Sequence, residues 1–322
     1  MISSIKQYLK KSKIIVGLYV KIKGKKKKNN TSTSKHAYLL GMTTNQERDY
    51  FEYYGKNIYA GYGEIVDLGC WLGSTTIPLL EGLIQNKRFV KSRKKIHAYD
   101  IFIWESWMNV ANTDIDGKYK PGDSFVDEFI RRTANYSEYI SVNDGDLCKL
   151  SWRGDNIEFL LIDAMKSWDL ANCIVNDFFP CLIENKSYIL HQDFAHYYTP
   201  WIHLIQYKFR EYFTLIYDVP SSGSTVFKYT KRIPDHLIAY TYSFSDFTEK
   251  DIDDAFDYSL GLVTDENKGN VYLAKVMAYI HLKDFKKASD AMSTFNYKLW
   301  NPSELTHTQQ LIAEGLNKVK ML

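Results

Sequence analysis

The sequence predicts an α/β fold in which a doubly wound parallel sheet ends in an antiparallel hairpin. Short strand-like runs alternate with helix-like segments between residues 45 and 211. Several of these runs are nearly continuous in apolar residues, which is typical of parallel strands covered on both faces. Two alternating segments then flank Ser-Ser-Gly-Ser at 221–224, and this pattern indicates a hairpin after the last parallel strand.

The order of the predicted elements supports this architecture. A helix begins near residue 45, and further helices are expected at 74–86, 123–134, 168–182 and 200–211. The predicted parallel strands are 64–68, 95–100, 139–142, 157–163 and 187–191, and the predicted hairpin strands are 213–219 and 225–230. Alternation of strand and helix favours a doubly wound sheet.

The chain of 322 residues is predicted to have three parts, because a single core rarely grows beyond about 250–300 residues. Residues 1–44 form a basic arm and linker, residues 45–246 form the α/β domain, and residues 247–322 form a helical region. Helical periodicity at 271–282 and 284–292, with a helix start signal at 301–304, predicts that last part.

The basic arm carries most of the positive charge. Residues 1–46 contain eleven lysines and no Asp, Glu or Arg, so the total of +3 leaves −8 for residues 47–322. The acidic remainder argues against a nucleic-acid partner. The arm is either a solvated basic segment or a peripheral anchor, through residues 1–28, on an anionic membrane at the inner face. Its longest apolar run has seven residues, against roughly 20 needed to span a bilayer.

The four cysteines predict the compartment. Cys70, Cys148, Cys173 and Cys181 form no CxxC pair and lie in or beside apolar stretches. This pattern predicts free, buried thiols in a reducing compartment, and we expect a cytoplasmic protein.

The turn after the first strand indicates a ligand without phosphate. A pyrophosphate-binding turn requires Gly-x-Gly-x-x-Gly, in which the middle glycine admits the phosphate to the backbone. Here Gly69 is followed by Cys70 and the bulky Trp71, and the next glycine is Gly73. The pattern Asp67-x-Gly69-x-x-x-Gly73 therefore argues against pyrophosphate, and the absence of Gly-Lys-Ser/Thr argues against a P-loop.

From about residue 47 to residue 231, the sequence resembles the class I S-adenosylmethionine-dependent methyltransferases. The turn just described, the acid that ends the segment Ile-His-Ala-Tyr-Asp at 96–100, and Val-Asn-Asp-Gly-Asp-Leu at 142–147 carry the resemblance. It implies a Rossmann-like fold and S-adenosyl-L-methionine as the cofactor. Asp100 would then accept hydrogen bonds from the ribose hydroxyls, and Asp146, or alternatively Asp144, would meet the adenine amino group.

The same resemblance assigns the first turn to the methionine part of the cofactor. Asp67, Gly69, Cys70 and Gly73 would border it. The ammonium group needs acceptors, and the sulfonium avoids a basic surface. This turn contains neither lysine nor arginine, so it fits both needs.

Chemistry is expected where strands four and five end, because ligands of open α/β sheets bind beyond the carboxyl ends of the strands. The ends carry Asp163 and the run His191-Gln192-Asp193. They look like the macrocin-type sugar O-methyltransferases, in which an acid ends strand four and an Asp-Asp pair ends strand five. Gln192 departs from that pattern because it replaces the first acid of the pair.

Two ways of activating an acceptor hydroxyl remain open. In the first, Asp163, Asp193 and Gln192 hold Mg²⁺, which lowers the pKa of the hydroxyl. In the second, His191 is the general base, and Asp193 or Asp163 orients its ring.

The acceptor expected from the resemblance is a sugar hydroxyl, as part of a surface glycan or its precursor. Aromatic side chains suit the apolar faces of sugar rings, although core packing is the alternative; the candidates are Trp104, Trp107, Tyr197, Tyr198 and Trp201. A small phenolic or natural-product hydroxyl is a second acceptor hypothesis, and a non-catalytic cofactor-binding scaffold is a third reading.

Overall fold

The computed structural model describes residues 34–89, 96–108, 110–295 and 302–320, and these form a seven-stranded sheet. Its order is β3-β2-β1-β4-β5-β7-β6. The strands are β1 (Glu64–Leu68), β2 (Ile96–Asp100), β3 (Ile140–Asp144), β4 (Ile157–Ile162), β5 (Tyr188–His191), β6 (Phe213–Asp218) and β7 (Thr225–Tyr229). Neighbours among β1–β5 pair in parallel, and β7 runs antiparallel to both β5 and β6. The predicted sheet with its terminal hairpin is confirmed.

The helices follow the predicted alternation in the α/β part of the chain. They are α1 (Asn45–Tyr53), α2 (Thr76–Ile84), α3 (Val126–Arg132), α4 (Trp168–Phe178), α5 (Pro200–Lys208) and α6 (Asp235–Ile238). The carboxyl-terminal part adds α7 (Glu249–Leu260), α8 (Asp265–His281), α9 (Phe285–Ser293) and α10 (Pro302–Lys320). The helix α7 begins at a capping box, in which Thr248 accepts from the Asp251 N–H and Asp251 accepts from the Thr248 N–H.

Both faces of the sheet are covered. Successive side chains of a strand point to opposite faces, so Ile65 of β1 packs with α1 and α2. Val66 packs on the other face, with α4 and α5. The carboxyl ends of β1 to β5 are left at one edge of the sheet, between the two helical layers.

The helical carboxyl-terminal region is present, and it shares the core of the α/β part. The His203 ring of α5 lies 4.9 Å from the Phe256 ring of α7. Phe256, Val271 and Met292 belong to the same buried cluster as Leu204. The predicted helical region is confirmed, and α7 to α9 pack as part of one hydrophobic core with β4 and β5.

Residues 34–44, predicted to belong to the arm and linker, pack against α1 and α2. The buried His36 ring binds Glu52 through Nε2, at 3.0 Å from Oε2. The Arg48 guanidinium donates to the His36 carbonyl at 3.0 Å and to Thr43 Oγ1 at 2.8 Å. The segment 1–28, predicted to bind a membrane, lies outside the described residues. Among those that are described, no helix has both the length and the apolar character to cross a bilayer.

A disulfide joins Cys148 to Cys173, so the prediction of four free thiols is wrong for this pair. The connection between β3 and β4 contains no helix and folds back over α4, which brings the two Cα atoms to 5.4 Å. That separation is within the disulfide range. Cys70 and Cys181 are free. The cysteines therefore no longer support a reducing compartment.

Asn172 of α4 anchors the segment that leads into the carboxyl-terminal helices. Its Nδ2 donates to the Tyr242 carbonyl at 2.8 Å, and its Oδ1 accepts from the Tyr242 N–H at 2.7 Å. We expect Asn172→Ala to lower the free energy of unfolding by about 3 kcal/mol, because two buried backbone groups lose their partner. Equilibrium urea unfolding measures the change.

The matched control is Asn176→Ala, one turn later on α4. The buried Oδ1 of Asn176 has no partner among the described residues, so its loss is expected to cost about 1 kcal/mol or less. Equal losses in the two variants would contradict the anchoring role of Asn172.

Candidate functional site

The turn after β1 lies directly against the end of β4. Gly69 has φ +93°, and a Cβ added to it would lie 3.1 Å from the Asp163 carbonyl carbon. The Gly69 N–H donates to the Tyr99 carbonyl at 2.8 Å, which ties the turn to β2. Gly73 also has a positive φ, of +86°. Only glycine adopts this conformation at such close approach without strain.

Asp67, one residue before the end of β1, is a fully buried carboxyl group. Its Oδ2 accepts from the hydroxyls of Thr75 at 2.7 Å and Thr76 at 2.6 Å. Its Oδ1 has no hydrogen-bond partner among the described residues. Burial, together with the charges of Asp163 and Asp100, raises the pKa of Asp67 to about 6 against the opposing effect of the two hydroxyls.

Asp100 ends β2 and shapes the same turn. Its Oδ2 accepts from the Trp71 N–H and its Oδ1 from the Phe102 N–H, both at 2.9 Å. Burial raises the pKa of this carboxyl group against these two hydrogen bonds. The residue predicted to bind ribose therefore also holds Trp71, whose φ of +41° is in the left-handed region.

The candidate adenine residues lie where β3 ends, next to Asp100. The Gly145 N–H donates to the Asp100 carbonyl at 3.0 Å, which ties the β3 turn to β2. Asp146 accepts from the Cys148 N–H at 3.0 Å and from Lys149 Nζ at 3.2 Å. Asp144 is exposed. The structure thus brings the predicted acids of β1, β2 and β3 to one edge of the sheet.

Lys166, which the sequence analysis missed, connects the acids of β4 and β5. Its Nζ lies 2.7 Å from Asp163 Oδ1 and also binds Asp193 Oδ2. About one fifth of each carboxylate side chain is exposed, 20% for Asp163 and 19% for Asp193. Burial raises the pKa of Asp163, and Lys166 opposes this rise.

Glu47 of α1 is a second residue that the sequence analysis missed. It is buried, with Oε1 accepting from Ser224 Oγ at 2.5 Å and Oε2 accepting from the Thr44 N–H at 2.6 Å. Burial raises its pKa, and the Asp163 charge contributes to the rise. Glu47, Asp67, Asp100 and Asp163 form an acidic cluster, by which we mean these four carboxyl groups.

His191, predicted as a general base, lies inside the core. It is fully buried, with its ring centre 6.3 Å from that of Phe194 and 6.2 Å from that of Phe227. Burial lowers the pKa of His191 to about 4, although the Gln206 amide opposes the shift. This placement argues against the base role, since no acceptor reaches a ring enclosed by aromatic side chains.

The predicted Mg²⁺ ligands do not fit a divalent cation in their present arrangement. The Lys166 ammonium lies between Asp163 and Asp193, where such a cation would bind, and it balances part of their charge. The Gln192 Oε1 is buried and has no hydrogen-bond partner in the part of the chain that the structure describes. Within the described ranges, no group of three or more His, Cys, Asp or Glu side chains is arranged to hold a metal ion.

The predicted aromatic rim divides between core and surface. Trp104 and Trp201 are buried, whereas Trp107 is 61% and Tyr198 is 40% exposed. His307 of α10 reaches this rim: its Nδ1 lies 2.9 Å from the Tyr197 hydroxyl, and its ring stacks on Tyr198 at 6.3 Å. The carboxyl-terminal helices therefore border the turn that follows β5.

The buried charge of Asp67 predicts a pH dependence of stability. Its pKa of about 6 in the folded chain is above the ordinary 3.8, so the unfolded chain binds fewer protons between these values. The free energy of unfolding therefore falls as the pH rises from about 4 to about 6, by about 3 kcal/mol for this group.

Urea unfolding of the wild type and of Asp67→Asn, at several pH values from 4 to 7, measures this contribution. We expect the difference in the free energy of unfolding between the wild type and Asp67→Asn to change by about 3 kcal/mol and then to level off above pH 6. Parallel profiles across the whole range would rule out the raised pKa.

No protein-family model and no curated protein matches this chain. Solved structures similar to it include the O-methyltransferase NovP, at 14% identity and TM-score 0.46, covering 62% of this chain and 87% of that one. Another is a putative RNA methyltransferase from Pyrococcus horikoshii, at 12% identity and TM-score 0.35, covering 63% and 91%. A third is an S-adenosylmethionine-dependent O-methyltransferase from Thermotoga maritima, at 11% identity and TM-score 0.37, covering 62% and 70%.

These similarities are remote, and they assign neither an activity nor an acceptor to this chain. The Rossmann-like character of the sheet follows from its own strand order, with the helices on both faces and the acids collected at the carboxyl edge.

Proposed function

We propose that this chain is an S-adenosylmethionine-dependent methyltransferase that acts on a hydroxyl group. The observation that carries the proposal is the acidic cluster of Glu47, Asp67, Asp100 and Asp163 around a glycine turn at the carboxyl edge of the sheet. The sequence of this turn argues against a phosphate ligand, and negatively charged carboxylates surround it. This environment favours a cationic ligand.

The energetics of the cluster support a cation. Within the cluster, Asp67 and Glu47 are buried and hold no salt bridge among the described residues. Burying such charges is costly, and a bound cation offsets that cost. S-adenosylmethionine carries a sulfonium and an ammonium group. The turn from Asp67 to Thr76 contains no lysine or arginine that would repel either charge. The unpartnered Asp67 Oδ1 is an acceptor of the kind that an ammonium group requires.

The residues that would hold the cofactor lie at the carboxyl ends of β1, β2 and β3. Asp67, Gly69, Cys70 and Gly73 would border the methionine part, and Asp100 the ribose. Asp146, with Asp144 as the alternative, would meet the adenine amino group. When bound, the cofactor supplies an activated methyl group to the space beyond β4 and β5.

The proposed acceptor is a sugar hydroxyl, and Asp193 and Asp163 are the proposed catalytic residues. Both carboxylates are partly exposed at the end of their strands, so a hydroxyl can reach them. The exposed Tyr198 ring, stacked on His307, offers an aromatic face of the kind that suits a sugar ring. Transfer of a radiolabelled methyl group to methyl glycosides, compared with simple phenols, tests the acceptor class.

Calorimetric titration with S-adenosylmethionine and S-adenosylhomocysteine tests the cofactor site. We expect both to bind the wild type, and Asp146→Asn to weaken binding by about tenfold or more, because a hydrogen bond to a charged group is lost. Asp144→Asn should have the smaller effect. The control is Asp265→Asn at the exposed start of α8, which should bind like the wild type.

Absence of binding to the wild type would sink the proposed function. In that case the fold would have an unknown ligand, and a non-catalytic scaffold would explain the carboxyl-terminal helices better.

The hypothesis that the protein acts on a glycan precursor at the membrane depends on binding of the lysine-rich arm to an anionic surface. Each lysine near an anionic surface contributes about 1 kcal/mol of attraction. We therefore expect deletion of residues 1–30 to abolish sedimentation with anionic vesicles and to leave cofactor binding intact. Unchanged sedimentation would remove the arm from the membrane hypothesis.

A further inference from the structure

The geometry points to Lys166 as the cation of the transfer site, in the place that a divalent metal would otherwise take. This inference rests on the proposed function, because it concerns how the acceptor hydroxyl is activated. It assigns Lys166 as a catalytic residue that contacts the acceptor oxygen.

The first support is the charge arrangement. Asp163 and Asp193 end adjacent parallel strands, and their side chains converge on one ammonium group. The third side chain of the set, Gln192, is neutral. Two carboxylates and one ammonium carry a net charge of −1, which is little to hold a doubly charged ion against a neighbouring lysine.

The second support is that the fold fixes the position of Lys166. Its neighbour Met165 is buried, and the Met165 carbonyl accepts from the Trp201 indole N–H at 2.7 Å. On the other side, Ser167 caps α4 by accepting from the Leu170 N–H at 3.2 Å. The backbone on both sides of Lys166 is therefore held, so the ammonium group reaches both carboxylates from a fixed turn.

The third support is the remaining hydrogen-bonding capacity. A lysine ammonium has three N–H groups, and the two carboxylates take two of them. The side chain is 48% exposed, so the third N–H is accessible to an acceptor oxygen. An ammonium beside the acceptor oxygen lowers the pKa of the hydroxyl and so favours loss of its proton.

The chemistry balances with these groups alone. The transfer forms a bond between the acceptor oxygen and the methyl carbon and breaks the carbon–sulfur bond of the donor, whose electron pair remains on sulfur. The hydroxyl proton passes to the Asp193 carboxylate and then to solvent. Lys166 donates to the acceptor oxygen as its O–H bond is lost.

Binding of Mn²⁺, used alone as the probe and followed by electron paramagnetic resonance, tests the inference on the full-length chain. We expect Lys166→Met to bind Mn²⁺ at least about tenfold more tightly than the wild type, because an ammonium no longer repels the ion. Lys166→Arg keeps the charge and should resemble the wild type. The control Lys250→Met removes an exposed lysine paired with Asp254 and should change nothing.

Methyl transfer gives the second readout. The rate of the wild type should be insensitive to chelator, and Lys166→Met should lower it by about a hundredfold. Tight Mn²⁺ binding by the wild type, or a rate abolished by chelator and restored by Mg²⁺, would overturn the inference.

Calorimetry with S-adenosylmethionine separates the two failures. If neither the wild type nor Lys166→Met binds it, the proposed function fails. If both proteins bind S-adenosylmethionine and methyl transfer requires Mg²⁺, only the assignment of Lys166 fails.

Discussion

The close approach of Gly69 to Asp163 determines the geometry of the candidate site. Any side chain at position 69 would press against the Asp163 backbone, so only glycine lets the β1 turn lie on the end of β4. This contact places Asp67 near enough to Asp163 for the charge of one to raise the pKa of the other. This backbone contact therefore contributes to the acidic character of the site.

The acidic cluster illustrates why a binding site can cost stability. Asp67 and Glu47 are buried with hydroxyl and backbone partners, and burial raises the pKa of both. Asp163, by contrast, has the Lys166 ammonium beside it. The side of the edge with Asp67 and Glu47 therefore has unbalanced negative charge, whereas the side with Asp163 has the Lys166 ammonium as its counter-ion. The first side suits the proposed cationic cofactor, and the second suits the proposed neutral acceptor.

The sequence predicted those features that depend on residues close to one another along the chain. Buried parallel strands are nearly continuous apolar runs, so β4 was predicted at 157–163 and the structure has it at Ile157–Ile162. Lys166 with Asp193, and Glu47 with Ser224, are 27 and 177 residues apart, and only the fold brings them together. The direction of His191 could not be predicted either, because a strand that is buried on both faces shows no alternation of polar and apolar residues.

The carboxyl-terminal helices connect the core to the surface beside the turn that follows β5. Their apolar residues belong to the same cluster as β4 and α5, so removing them would expose the core of the sheet. The same helices bring His307 to Tyr197 and Tyr198, beside the turn that begins with Asp193. Core packing and the surface around Tyr197 and Tyr198 are therefore physically linked in this region. A change in α10 alters the surface beside Tyr198, whereas a change in α7 acts first on the stability of the sheet that holds Asp163 and Asp193.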